Sequence, residues 1–192
     1  MPEIASPPAS TLTPAKTARQ RTDTFTSIWM IIAVAMALVT LVVKNRMPQP
    51  LWTMIHLVTL GVLSNGIFQW SWFFARSLAR LSADDPRARR HNTIRILIFN
   101  ACFLLLFVSM WLGWMVGTMI AATGIAAVAA WHGAEMLSVL RERLASRFVI
   151  VVRYYVCSAS FFVLAALLAS FVSATMFSPS IPEALVAMRD RL

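Results

Sequence analysis

Long runs of apolar residues alternate along this chain with short joints that are rich in arginine. About 20 apolar residues, rising 1.5 Å each in a helix, are enough to cross the hydrocarbon core of a bilayer. Five runs reach that length, over residues 25–43, 51–75, 93–111 and 115–137 and over a last run that begins between Phe148 and Tyr154 and ends near Ala174. The pattern therefore predicts an all-α polytopic membrane protein, with a bundle of five transmembrane helices within residues 25–176.

The two ends of the chain differ from this pattern. Residues 1–24 are rich in Pro, Ser, Thr and Ala. Such a composition buries too little apolar surface to order itself, so we expect a disordered cytoplasmic arm. Residues 177–192 follow the last apolar run and contain two prolines that stop a helix, so they are predicted to form a short tail on the periplasmic side. No small-residue cleavage site follows the first apolar run, and the pattern therefore predicts no secretory signal peptide.

The basic residues predict the orientation of the bundle. With the amino terminus inside, twelve basic residues fall in inside segments and four in outside segments. The inside set comprises Lys16, Arg19, Arg21, Arg76, Arg80, Arg87, Arg89, Arg90, Arg95, Arg141, Arg143 and Arg147. Cytoplasmic segments carry the excess of Lys and Arg in membrane proteins. We therefore expect a multi-pass protein of the inner (plasma) membrane with a cytoplasmic amino terminus and a carboxyl terminus outside.

Composition and charge exclude several other classes of protein. The chain is 59% hydrophobic and 13% charged, whereas soluble domains are about 25% charged. A net charge of +9 often indicates nucleic-acid binding. Here the arginines stand at the ends of apolar runs and not along one helix face, which argues against nucleic acid as a partner. Cys102 and Cys157 lie inside apolar runs and are predicted to be packing residues.

Two histidines inside the predicted helices are the candidate cofactor ligands. Counted from the helix ends, His56 lies about 8 Å and His132 about 25 Å below the outer surface. This difference prevents the two rings from binding one metal ion or both faces of one haem. Each could be one axial ligand with its partner elsewhere, because intramembrane ionisable residues are functional candidates. Alternatively, His56 bonds to water or a neighbouring carbonyl, and His132 bonds to Glu135 on the same helical face.

Four further polar residues are predicted to act structurally: Asn65, Asn100, Glu135 and Arg153. The two asparagines fall at similar depth on adjacent helices, and a contact between them would contribute about 1 kcal/mol or less. Glu135 and Arg153 form an ion pair if the fifth helix begins at the early limit of its predicted range. At the late limit, Arg153 is an interfacial anchor. The chain has no nucleophile elbow, phosphate loop or paired intramembrane carboxylates, so we expect no enzymatic activity from it alone.

Three stretches of the chain carry a resemblance to a known family: HLVTLGVLSNGIFQWSWFFARSLAR, Trp131-His132 with LRERLASRF, and VVRYYVCSASFFVLAALLASF. They resemble the amino-terminal membrane region of actinobacterial copper oxidases and copper-type nitrite reductases. They are more distantly similar to NnrS-type and haem–copper oxidase-like membrane proteins. In the family these helices precede cupredoxin domains. The family often has a second histidine where this chain has Trp72 or Phe73.

The resemblance implies a haem- or copper-associated module in electron transfer or nitrogen-oxide metabolism. His56 and His132 would be its ligands, and a cupredoxin protein would be its partner. The competing hypothesis is a non-catalytic membrane subunit or anchor whose polar residues pack against partner helices. Both hypotheses place the chain in a lipid bilayer, with other membrane helices or a second copy as partners. Transport of a small solute is less favoured, because the sequence has no obvious inverted repeat.

Overall fold

Five long helices make up the structure. The computed structural model describes residues 14–47, 49–82, 85, 87–143, 149–176 and 187. All regular secondary structure in these ranges is helical, and the long helices are α1 (Pro14–Val43), α2 (Pro50–Leu78), α3 (Asn92–Trp111), α4 (Met115–Arg143) and α5 (Val149–Met176). All five are long and apolar enough to cross a bilayer. The prediction of an all-α chain with five long apolar helices is therefore confirmed.

Several helices extend beyond the apolar runs that predicted them. α1 begins at Pro14, so residues 14–24 belong to a helix and not to a disordered arm. The Ala, Lys, Arg and Gln residues there favour helix, and proline is tolerated in a first turn. α2 and α4 likewise continue past residues 75 and 137, through arginine and glutamate that hydropathy ignores. The rest of the predicted arm, residues 1–13, and the predicted tail, apart from residue 187, lie outside the described residues.

The middle of α2 is not an ordinary α-helix. Its first α-helical part is Pro50–His56. A π-helical segment follows over Leu57–Ser64, and the second α-helical part is Asn65–Leu78. In a π turn each backbone bond spans one residue more than in an α turn, which rearranges the carbonyl groups. The Asn65 side chain uses this opening, because its Nδ2 donates to the carbonyls of Leu60 and Gly61 at 3.1 Å each.

The π segment is also the place where α1 packs against α2. A Cβ atom added at Gly61 would lie 2.7 Å from the Cβ of Ala33 on α1. That separation is shorter than carbon atoms tolerate, so only glycine permits this approach. α1 therefore covers the π segment through a pair of small residues, as is common where helices cross in membranes.

The core of the bundle lies among α2, α3 and α4, and α5 packs along α4. Its fully enclosed side chains are mainly aromatic on α2 and α3 and small on α4, and they include Phe68, Phe99, Phe103, Ala121, Ile125 and Ala129. Only 22% of the apolar stretch of α1 and 6% of that of α5 are buried. These two helices therefore lie at the periphery, with apolar side chains facing outwards.

An arginine-centred network closes the end of the bundle where α2 and α4 end and α3 begins, which we call the basic end. Arg87 donates hydrogen bonds to Asp85 at 2.9 Å and to Glu142 at 3.0 Å. It also donates to the Ser138 hydroxyl at 3.2 Å. The hydrogen bonds to Asp85, and then those to Glu142, raise the pKa of Arg87. The network ties the joint before α3 to the last turns of α4.

Candidate functional site

Two neighbouring cavities lie between α2 and the pair formed by α4 and α5. The larger cavity has a volume of about 380 Å³ and lies towards the end where α2 begins. The smaller cavity has a volume of about 130 Å³ and lies towards the basic end. Ser64 and Phe162 line both. The larger volume falls in the range of about 300–1,000 Å³ that small-molecule sites occupy. The smaller one has room for a few water molecules.

His56 lines the larger cavity in a fixed orientation. Its Nδ1 lies 2.8 Å from the carbonyl oxygen of Trp52, one turn earlier in α2. The two rings also stack, with their centroids 4.1 Å apart. Because a carbonyl oxygen can only accept, Nδ1 must carry the proton of this hydrogen bond. In the neutral ring Nε2 then keeps its lone pair, which is the arrangement of most histidines that bind metals.

His132 lines the smaller cavity, and its ring is arranged differently. Its Nε2 lies 2.9 Å from the hydroxyl oxygen of Ser71 on α2. That hydroxyl donates its own proton to the carbonyl of Ile67 at 2.5 Å. Nε2 of His132 is therefore the donor to Ser71, and Nδ1 is left buried without a hydrogen-bond partner among the described residues. The bond to Glu135 that the sequence suggested is replaced by this bond to Ser71.

Next to the smaller cavity, towards the basic end, lies a group of buried and half-buried residues that we call the arginine cluster: Trp72, His91, Arg95, Trp131 and Glu135. Arg95 is only 1% exposed. Its guanidinium carbon lies 4.6 Å from the ring centroid of Trp72 and 5.9 Å from that of Trp131. At these distances each ring face attracts the cation. Its positive charge also interacts electrostatically with Glu135 and with His132.

Glu135 is the acidic member of the arginine cluster. Its Oε1 accepts hydrogen bonds from Nδ1 of His91 at 2.6 Å and from Nε1 of Trp131 at 3.1 Å. Its Oε2 is buried and has no hydrogen-bond partner within the described ranges, and the same holds for Nε and Nη1 of Arg95. Arg95 therefore joins α3 to α2 and α4 by stacking on their tryptophans, and Glu135 joins α4 to the joint that precedes α3.

The sequence interpretation missed most of the arginine cluster. It counted Arg95 as one of the basic residues of a water-exposed joint. The local sequence did indicate that Arg95 is buried, because Arg95 stands between Ile94 and Ile96 inside the third apolar run. An arginine with apolar neighbours on both sides is expected to face other helices and to find a partner there. Its stacking on two tryptophans from other helices has no counterpart in the local sequence.

Asn65 and Asn100 are brought together in the centre of the bundle. Each side-chain amide donates to the carbonyl oxygen of the other at 2.9 Å. Asn100 also donates to the carbonyl of Ile96 at 3.0 Å. Asn65 is 0% exposed and Asn100 is 3% exposed. The pair is therefore a direct, reciprocal contact between α2 and α3, at the position that the sequence indicated.

Glu135 and Arg153 are not brought together. α5 begins at Val149, near the early limit of its predicted range. Even so, Glu135 bonds to His91 and Trp131, while the exposed Arg153 lines a surface groove beside Arg141. Of the two alternatives that the sequence left open, the ion pair is not formed, because the rotation of α5 about its axis, which hydropathy does not specify, turns Arg153 outwards.

The residues present can be tested against the metal groups that the family resemblance implies. No group of three or more His, Cys, Asp or Glu side chains that could hold a metal ion occurs in the part of the chain that the structure describes. A copper ion held by several such ligands of this chain therefore has no site there. A histidine that binds haem iron needs one ring nitrogen with a free lone pair. His56 fits that need in the larger cavity. His132 also keeps a free lone pair, on Nδ1, but the cavity it lines, of about 130 Å³, is below the range of small-molecule sites.

Comparison with known proteins adds no relative to this picture. No family model matches the chain, and neither the curated proteins nor the solved structures contain a match. The described residues define a helical bundle with five span-length helices, the two cavities described above and the arginine cluster.

Proposed function

We propose that the chain is a multi-pass protein of the inner (plasma) membrane, with its amino terminus in the cytoplasm and its carboxyl terminus outside. Two observations support this proposal. Five helices are long and apolar enough to span, and the exposed side chains of α1 and α5 are largely apolar. Arg87 also links the joint between α2 and α3 to the end of α4. The arginine-rich joints then share one side of the membrane, as the positive-inside rule requires.

Within this membrane protein, we propose that the larger cavity binds haem with His56 as an axial ligand, in a module for electron transfer or nitrogen-oxide metabolism. The observation that carries the proposal is the hydrogen bond from Nδ1 of His56 to the carbonyl of Trp52, which leaves Nε2 available. The cavity wall is mainly apolar and also includes Met110, the other side chain there that can bind haem iron. Bound haem would supply one-electron redox chemistry.

Each residue of this site has a defined task in the proposal. The Trp52 carbonyl fixes the tautomer of His56, and the Trp52 ring restricts the rotation of the imidazole by stacking on it. The alanine-rich wall from α5 excludes water and gives the cavity a low dielectric constant, which tunes the redox potential of a bound iron. His132 belongs to the arginine cluster side of the bundle and has no role as a ligand here.

A pair of matched substitutions tests the haem proposal. The protein is expressed with added haem precursor, purified in detergent and examined by absorption spectroscopy. We expect a Soret band that is lost in His56→Phe, which keeps a ring on Trp52 but removes the nitrogen. The band should persist in His132→Phe, which makes the same change in the other cavity. A colourless wild-type protein, or a band that survives in His56→Phe, would contradict the proposal.

The alternative function is a non-catalytic subunit or anchor that packs against partner helices. The observation in its favour is the exposure of α5, of which only 6% of the apolar stretch is buried. A second copy of the chain, another membrane protein or a cupredoxin partner could pack there. This alternative predicts a colourless preparation in which His56→Phe leaves folding unchanged. It also predicts a cross-linked complex when photoreactive groups are placed at Phe161 or Leu168, which are both exposed.

A further inference from the structure

A surface groove between α4 and α5 has a composition that none of the functions above explains. Its volume is about 550 Å³. Its wall is apolar over most of its length and carries two arginines, with Leu137, Leu140, Val149, Val156, Cys157, Arg141 and Arg153 as its lining residues. The groove lies on the lateral surface of the bundle, so in a membrane it would face lipid.

The two arginines lie at the same end of the groove. α4 runs towards the basic end and finishes at Arg143, and α5 starts from that end at Val149. With a rise of 1.5 Å per residue, Arg141 lies about 3 Å and Arg153 about 6 Å from these helix ends. Both guanidinium groups therefore fall at the depth of the lipid headgroups if the bundle spans the membrane.

Neither arginine has an acidic partner among the residues that the structure describes. The carboxylate next to Arg141 in sequence, Glu142, bonds to Arg87 instead. The buried carboxylate of α4, Glu135, bonds to His91. Arg141 and Arg153 thus place two positive charges at the end of the apolar groove nearest the basic end, and both side chains are exposed.

We propose that this groove binds an anionic phospholipid from the cytoplasmic leaflet. The headgroup phosphate bonds to Arg141 and Arg153, and one acyl chain lies along Leu137, Leu140 and Val156. Arginine suits this task because its planar group can donate two parallel hydrogen bonds to a phosphate. Basic pockets between membrane helices on the cytoplasmic side are known to hold anionic headgroups. The proposal rests on the membrane insertion proposed above and does not depend on haem.

Lipid binding can be measured directly by native mass spectrometry of the full chain released from detergent. The probes are dioleoyl phosphatidylglycerol, dioleoyl phosphatidylcholine and inorganic phosphate. We expect phosphatidylglycerol to bind at least tenfold more tightly than phosphatidylcholine. The double variant Arg141→Gln/Arg153→Gln should lose this preference, because these two side chains are the charged groups that line the groove.

A control with equal loss of charge separates the groove from the general basic surface. Arg80→Gln/Arg90→Gln removes two exposed arginines from the same end of the bundle, outside the groove. This variant should keep the preference within about twofold. A second variant, Leu137→Trp, fills the apolar part of the groove without changing charge, and it should also weaken phosphatidylglycerol binding. Circular dichroism and gel filtration confirm that each variant is folded.

Three results would overturn the proposal. Equal binding of phosphatidylcholine would show that the phosphate headgroup charge is not recognised. Displacement of the lipid by millimolar inorganic phosphate would assign the arginines to a free anion. An equal loss in the Arg80→Gln/Arg90→Gln control would assign binding to the whole basic end. A failure of membrane insertion is distinguishable from all three, because the chain would then remain in the aqueous fraction after cell lysis and ultracentrifugation.

Discussion

Replacing Asn65 with alanine would test how much one buried polar contact holds α2 and α3 together. Asn65 and Asn100 exchange two hydrogen bonds of 2.9 Å between their side-chain amides. Asn65 also donates to the carbonyls of Leu60 and Gly61 in the π segment. Because the two asparagines are almost completely buried, bulk water does not replace these bonds in the folded protein.

The expected magnitude follows from the number of bonds. Side-chain hydrogen bonds between membrane helices average about 0.6 kcal/mol each, so the two bonds correspond to a coupling free energy of about 1 kcal/mol. The single Asn65→Ala substitution should cost more, about 2–3 kcal/mol, because it also leaves buried carbonyl groups without a donor. Asn100→Ala should cost less than Asn65→Ala, since only one backbone carbonyl, that of Ile96, loses its donor.

A double-mutant cycle isolates the coupling from these other costs. The free energy of unfolding is measured by circular dichroism in dodecylmaltoside micelles with increasing dodecyl sulfate. Asn65→Ala and Asn100→Ala should be non-additive by about 1 kcal/mol. As a control, Asn65→Ala and Ser109→Ala should be additive within about 0.5 kcal/mol, because Ser109 lies near the far end of α3. Additive effects in the asparagine pair would refute the reasoning.

Two further predictions concern packing and charge. Gly61→Ala should lower the free energy of unfolding by about 1–3 kcal/mol through its clash with Ala33, and adding Ala33→Gly should recover part of that loss. No recovery in the double variant would mean that α1 does not cross α2 at this point. Arg95→Gln should cost about 1–3 kcal/mol, because it removes a buried cation that stacks on two tryptophans and attracts the Glu135 carboxylate. Arg95→Gln/Glu135→Gln should be more stable than Arg95→Gln alone in the same assay, and a less stable double variant would count against the charge pairing.

The number and type of the long helices could be predicted because membrane-length apolar runs leave few alternatives. The residues at which the helices end were harder to predict. Arginine and glutamate after the fourth apolar run continue α4 to Arg143, although hydropathy places them outside it. The asparagine contact was also predictable, because Asn65 and Asn100 lie at similar depth in the apolar runs of adjacent helices. Depth along the axis can thus be read from the sequence.

Rotation about the helix axis cannot be read in the same way. Arg95 was assigned to a joint by its position, yet it turns inwards between two tryptophans from α2 and α4. Arg153 was a candidate partner of Glu135 by its depth, yet it turns outwards. In helices that are apolar on nearly all sides, the periodic pattern that normally marks the buried face is weak. Contacts among three helices decide the rotation, and these contacts are not local in sequence.

The π segment of α2 has a consequence for how the two ends of the bundle are aligned. Each residue in a π turn rotates less about the helix axis than a residue in an α turn. Residues 57–64 therefore set the rotation of the half of α2 that carries His56 relative to the half that carries Ser71. Insertion or loss of a single residue there would rotate one half relative to the other by somewhat less than the roughly 100° per residue of an α-helix. The direction in which His56 points, relative to Ser71 and to the His132 ring that Ser71 contacts, therefore depends on the local winding of the π segment.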